Sequence, residues 1–213
     1  MSTVMTPDTN ETVQPESALR FDLAAIARWV QPEERVLDLG CGDGALLAYL
    51  SATKRVVGYG IENDVNRVIA CLDRGVNVIQ SNLDQGLAGF EDGFFDRVIM
   101  SQALQAMHNT QGILQEMLRV GREAVVSFPN FAFWKHRKSI LEGRMPVSES
   151  LPHQWFNTPN IRFFTVADFT TLCDLLDIEI LEWMGFDDRH QPLPPDADLN
   201  FLATLAIARL ARR

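Results

Sequence analysis

Between Val36 and Gly44 the chain reads VLDLGCGDG: an apolar run, the acid Asp38, then glycines at 40, 42 and 44. Glycine has no Cβ, so such a turn can bend tightly and let a ligand lie against bare backbone. The residues from Asp43 to Ser51 read as a helix. The free N–H groups and partial positive charge at a helix start favour an anionic group. Asp38 places a negative charge beside them. That combination repels a pyrophosphate and suits a ligand carrying both a carboxylate and a cation. The spacing is GxGxG, and Ala45 stands where a nicotinamide-binding turn needs its third glycine.

A second acid, Glu62, follows Gly44 by 18 residues, with Asn63 beside it. Acids about 20 residues past a glycine turn commonly accept hydrogen bonds from ribose hydroxyls. Further along, SNLDQGL (Ser81–Leu87) offers Asn82 and Asp84 to an adenine amino group and Leu83 to its face. In MSQALQAMHN (Met100–Asn109), Ser101, Gln102 and Leu104 are placed to line the same pocket, with His108 just beyond. The amino-acid end of S-adenosylmethionine has the required chemistry. S-adenosylmethionine or S-adenosylhomocysteine is therefore the expected cofactor. Its expected binding set is Asp38, Gly40, Cys41, Gly42, Gly44, Glu62, Asn63, Asn82, Leu83, Asp84, Ser101 and Gln102.

The elements that must hold these residues alternate. Leu19–Val30 reads as a helix ahead of the first strand, Arg35–Leu39. Then come a strand at Arg55–Ile61, a helix over Val65–Arg74 capped by Asp64 and closed by Gly75, and a strand at Val76–Gln80. A strand at Phe95–Met100, a helix at Thr110–Val120 and a strand at Ala124–Phe128 follow. Thr165–Asp168 has the form of a capping box that opens a helix to about Leu176. Two more strands, Ile178–Met184 and Asn200 to about Leu210, have no crossover helix between them and must pair antiparallel. The expected fold is α/β: a Rossmann-like three-layer sandwich whose mostly parallel sheet carries one antiparallel strand near its edge. A single domain is expected over residues 19–213, with residues 1–18 as a flexible tail.

The 213 residues are 46% hydrophobic and carry a formal net charge of -9. That charge argues against a nonspecific grip on nucleic acid. No apolar run approaches the ~20 residues of a membrane span. The three cysteines form no CxxC pair, which fits reduced thiols in the cytoplasm.

LDLGCGDG, YGIEND, SNLD and GFFDRVIMSQAL together resemble the class I S-adenosylmethionine-dependent methyltransferases. The resemblance implies a seven-stranded sheet with an antiparallel last strand. The later stretches EMLRVGREAVVSFPNFAFWKHR, GRMPVSESLP, QWFNTPNIRF and FTVADFTTLC are more specific. With the earlier motifs they resemble the MetW family of methionine biosynthesis proteins over Leu19 to about Gly185. That resemblance implies work beside, or in complex with, a MetX-type homoserine O-acyltransferase in the cytoplasm. It implies no particular methyl acceptor. Arg162 stands where the resemblance leads one to expect a histidine.

Two functions fit these residues: a cofactor-binding accessory of the acyltransferase, or a methyltransferase acting on a small molecule or protein. Methyl transfer needs a base only when the acceptor carries a proton. His136 and His153 are the candidate bases. Phe131, Phe133, Trp134, Trp155 and Phe156 are candidates for an exposed aromatic patch.

Overall fold

A computed structural model describes residues 19–213; the expected tail at 1–18 lies outside the described residues. The chain runs α1 (Phe21–Trp29), β1 (Arg35–Leu39), α2 (Ala45–Lys54), β2 (Val57–Glu62), α3 (Val65–Asp73) and β3 (Asn77–Gln80). It continues β4 (Phe95–Ser101), α4 (Thr110–Val120), β5 (Gly121–Pro129), α5 (Trp134–Leu141), α6 (Val166–Leu175), β6 (Ile178–Phe186), α7 (Leu199–Leu202) and β7 (Leu205–Arg212). Among the described residues the sheet has seven strands in the order β3-β2-β1-β4-β5-β7-β6. β1 to β5 pair in parallel, whereas β7 runs antiparallel to both β5 and β6.

Alternation along the strands fills two cores. Leu37 and Leu39 of β1, with Tyr59 and Ile61 of β2, face α4 and α6. Val36 faces α1 and α2. The strand order reverses beside β1, between β2 and β4, so the C-terminal end of β1 opens onto a crevice. Between β3 and β4 the chain makes only a single 3-10 turn, Leu83–Gln85. Among the described residues no helix covers the outer part of the sheet on the α4 side, and Val57 and Ile79 stand exposed there.

Several expectations need correction. α2 begins at Ala45, not Asp43, because Gly44 takes the cap position with φ 75°. The last strand begins at Leu205. Asn200 lies in α7, which Asp198 starts by accepting from the Phe201 N–H. β5 begins at Gly121, directly at the end of α4. A Cβ at Gly121 would sit 2.5 Å from Val98, so only glycine lets the two strands approach there. α5 was not expected from the sequence. Other readings agree closely: α4 spans Thr110–Val120, Asp64 caps α3 by accepting from Asn66 and Arg67, and Thr165 and Asp168 form a reciprocal capping box on α6. Among the described residues no helix is long and apolar enough to cross a membrane.

Candidate functional site

At the tip of β1 the three glycines all take positive φ, but for different reasons. A Cβ on Gly44 would press within 3.1 Å of Cys71 and Val76, so this glycine serves helix packing. A Cβ on Gly40 would touch Ala103 at 3.4 Å. A Cβ on Gly42 would meet nothing within 4 Å. Gly42 therefore borders open space, and its bare backbone is the part of the turn left for a ligand.

Asp38 is 3% exposed and accepts no hydrogen bond among the described residues. Burial pushes its carboxyl up to about 7; the nearby Arg20 opposes the rise and Glu62 adds to it. A buried acid without a donor is costly when ionised, and a cationic ligand would relieve that cost. Glu62 is placed differently. Its Oε2 accepts from the Gly42 N–H at 3.0 Å, and its Oε1 accepts from the N–H groups of Asn63 and Asp64 at 2.8 and 3.0 Å. The carboxylate thus ties the glycine turn to the end of β2. Oε2 accepts that one hydrogen bond and faces the Arg67 guanidinium at 3.9 Å, beyond hydrogen-bond distance, so a lone pair remains for a further donor. Burial pushes the Cys41 thiol up, so it stays protonated. Its sulfur lies 3.7 Å from that of Cys71, which in turn donates to the Gly42 carbonyl.

The loop after β3 closes the same side. Asn82 accepts from the Asp84 N–H, and Leu83 packs on the main core. Asp84 accepts from the His108 backbone at 3.0 Å and pairs with its ring at 2.8 Å. The ring bond holds the Asp84 carboxyl below its ordinary range. Arg162 donates to the His108 carbonyl.

Ser101 and Gln102 turn toward a residue the sequence reading missed. Asp22, fully buried on α1, accepts from Arg20 at 2.5 and 2.8 Å, from Ser101 at 3.1 Å and from the Gln102 amide at 2.8 Å. Burial alone would raise its pKa, but Arg20, then Gln102 and Ser101, hold it below the ordinary value. The signal was present: Asp22 shares a helical stripe with Ala25 and Ile26, where an acid needs a partner.

Beyond Arg20 and Gln102 lies a cavity of about 490 Å³, lined also by Phe21, Phe133, Lys135, His136, Ser148 and His190. The two candidate bases part company here. His136 is buried in this wall, and burial lowers its pKa despite a bond to the Asn130 carbonyl. His153 lies exposed on the loop between α5 and α6. The expected aromatic patch also divides. Phe133 is buried, Phe131 contacts Phe163, and Trp155 and Phe156 contact each other in the open, 72% and 69% exposed.

Asn130 was likewise missed. It is fully buried just past β5. Its amide nitrogen donates to the carbonyls of Leu199, Asn200 and Ala203, and its amide oxygen accepts from Ala132 and Val166. One side chain thereby joins β5, α6 and the lead-in to β7.

Residues 20–210 match the family model described as methionine biosynthesis protein MetW. The chain belongs to the MetW family. A relative from Rhodopirellula baltica, the bifunctional methionine biosynthesis protein MetXA/MetW, is 38% identical over 96% of this MetW-family chain. The chain spans only 35% of that relative's length. Among solved structures, a SAM-dependent methyltransferase from Archaeoglobus fulgidus matches with a TM-score of 0.65 at 13% identity, covering 92% of this chain and 94% of that one. The [4+2]-cyclase SpnF matches with a TM-score of 0.64 at 17% identity, covering 90% and 80%. These likenesses establish the class I methyltransferase fold for this MetW-family chain, with the antiparallel strand that the sequence led us to expect. They also bring together a methyltransferase and a cyclase, so the fold does not set the chemistry.

Proposed function

We propose that the chain binds S-adenosylmethionine at the tip of β1 and works in methionine biosynthesis, in the cytoplasm, supporting a MetX-type homoserine O-acyltransferase. The observation that carries the cofactor reading is Asp38: a buried acid with no donor among the described residues, beside a glycine turn whose middle member borders open space. Asp38 would hold the ammonium of the cofactor's amino-acid end. The N–H groups at the start of α2 that follow Ala45, whose own N–H is taken by Asp43, would face its carboxylate. The free lone pair of Glu62 would take a ribose hydroxyl, and Asn82, Leu83 and Asp84 would border the adenine. When bound, the cofactor supplies a methyl group activated by a sulfonium.

The partner reading rests on the R. baltica relative, whose name joins MetXA to MetW. Calorimetry with S-adenosylmethionine and S-adenosylhomocysteine, with and without purified acyltransferase, tests both parts. The expected result is cofactor binding, complex formation and a change in acyltransferase activity. No complex and unchanged activity would refute the partner role. Cofactor binding alters partner affinity only if the loaded and empty forms differ in their free energy of association.

A methyltransferase acting on its own substrate is the second reading. It is favoured by the 490 Å³ cavity, which shares Arg20 and Gln102 with the surroundings of the cradle. Transfer of labelled methyl into extracts lacking this protein would support it. A protein that binds cofactor yet labels no fraction would exclude it.

A further inference from the structure

The cavity behind Arg20 has a floor that the cofactor reading leaves unused. His136 Nδ1 lies 3.2 Å from the Asn130 carbonyl oxygen, and its Nε2 lies 2.9 Å from Ser148 Oγ. A carbonyl can only accept, so Nδ1 carries the ring proton and Nε2 is an acceptor. The Ser148 hydroxyl must therefore donate to Nε2. Ser148 Oγ then takes the Leu151 N–H at 3.2 Å and the Ser150 hydroxyl at 3.2 Å, which fills it and leaves Ser150 Oγ, also in the cavity wall, as the open acceptor. Burial keeps the imidazole neutral, which preserves this direction of donation.

The walls carry both signs of charge. Arg20 and Lys135 are the cations; Asp188 and Glu149 are the anions. Arg20 is bound to Asp22 and Ser101, Lys135 pairs with Asp188, and Glu149 pairs with His190 at 3.2 Å. An ammonium has three donors and a carboxylate about four acceptor positions, so the Lys135–Asp188 pair keeps capacity of both kinds. The Phe21 ring stacks on His190 at 4.0 Å and gives the cavity an apolar side. A volume of about 490 Å³ falls within the range of small-molecule sites.

We propose that this cavity is a second ligand site, for a small amphoteric molecule of amino-acid type whose hydroxyl or amine N–H donates to Ser150 Oγ while Ser150 donates to Ser148 and Ser148 to His136. The carboxylate and ammonium of such a molecule answer Lys135 and Asp188. The directed Ser150–Ser148–His136 chain selects for the extra donor, because an analogue lacking it leaves the half-buried Ser150 acceptor poorly satisfied. The site stands whether or not the cofactor reading holds; only its role as an acceptor pocket depends on that reading.

The test is calorimetry of the full chain, with and without S-adenosylhomocysteine, using L-serine, L-threonine and L-homoserine as probes. L-alanine and L-2-aminobutyrate are the controls that lack the hydroxyl. At least one hydroxylated probe is expected to bind about tenfold more tightly than its control, the scale of one hydrogen bond in a shielded site. Ser148→Ala is expected to bring that ratio to about one while leaving S-adenosylhomocysteine affinity unchanged. ¹⁵N spectra of labelled histidine are expected to show Nδ1 protonated and Nε2 shifting as the probe binds. Equal binding of probe and control, a ratio unchanged in Ser148→Ala, or no binding of any probe at millimolar concentration would each overturn the proposal. Hydroxyl-selective binding without S-adenosylhomocysteine binding would refute the cofactor reading and leave this one standing. The reverse result would do the opposite.

Discussion

Replacing Asp38 by asparagine should lower ligand affinity and raise stability together. In an unfolded chain this carboxyl titrates near 3.8; in the fold burial pushes it to about 7. The native state therefore binds more protons than the unfolded state between those values, and stability falls as pH rises through that window. Above it the ionised acid is fully disfavoured. At about 1.36 kcal/mol per pH unit, the gap sets a ceiling of about 4 kcal/mol at pH 8. Asparagine has no charge to bury, so the ligand-free variant should be more stable than the parent at pH 8. In a domain of this size each kcal/mol is worth roughly 2–4 °C in Tm. At pH 4 the two should melt together. Affinity should move the other way. Losing a hydrogen bond to a charged group costs about 1.5–3 kcal/mol, or roughly tenfold to a hundredfold in Kd for S-adenosylmethionine. The parent's affinity should also rise with pH through about 7 as Asp38 ionises, while the variant lacks that rise. Calorimetric scans and titrations from pH 4 to 8 read both quantities. A variant that is less stable at pH 8, or that binds as tightly as the parent, would refute the reasoning.

Gly42→Ala and Gly44→Ala should separate ligand space from packing. The first meets no protein atom and should keep most of its stability, losing about 1 kcal/mol to its positive φ while binding cofactor weakly; the second meets Cys71 and Val76 and should lose more stability. Thermal scans beside calorimetry distinguish them, and equal behaviour of the pair would be evidence against the assignment. Asn130→Ala strips partners from the carbonyls of Leu199, Asn200 and Ala203 and should cost about 3 kcal/mol or more in urea unfolding; a cost under about 1 kcal/mol would contradict its joining role. Arg97 is buried between Glu34 and Glu123 at 3.0 and 2.7 Å, so Arg97→Ala should destabilise by about 3–5 kcal/mol at neutral pH, measured the same way.

The strand–helix alternation was legible because turn formers punctuate it. α4 ends at a glycine, α3 starts at an aspartate that caps it, and the Thr165–Asp168 box opens α6. The glycine turn and Asp38 were legible for the same local reason. α5 was not, because its residues invert the usual pattern. WKHRKSIL is mostly polar, has no side-chain cap, and buries its histidine while Leu141 stands exposed. Asn130 and Ser148 were invisible for a different reason. The partners of Asn130 lie about 70 residues along the chain, and no periodicity encodes them. The Ser148–His136 bond spans a loop without any regular pattern.

The lack of a helix over β2 and β3 among the described residues makes this part of the fold mechanically uneven. The β4–β5–β7 half has α4 and α6 on one side, and Asn130 bolts its elements together. The β2–β3 half is held chiefly from the α3 side, and β3 is a four-residue edge. Glu62, Asn63 and the Asn82–Asp84 turn all sit at the end of that softer half. Amide exchange should therefore be fastest in β3 and the turn after it, and slow there when the cradle is filled. A ligand at the tip of β1 would act as a splint, stiffening the half of the sheet that the described residues brace least.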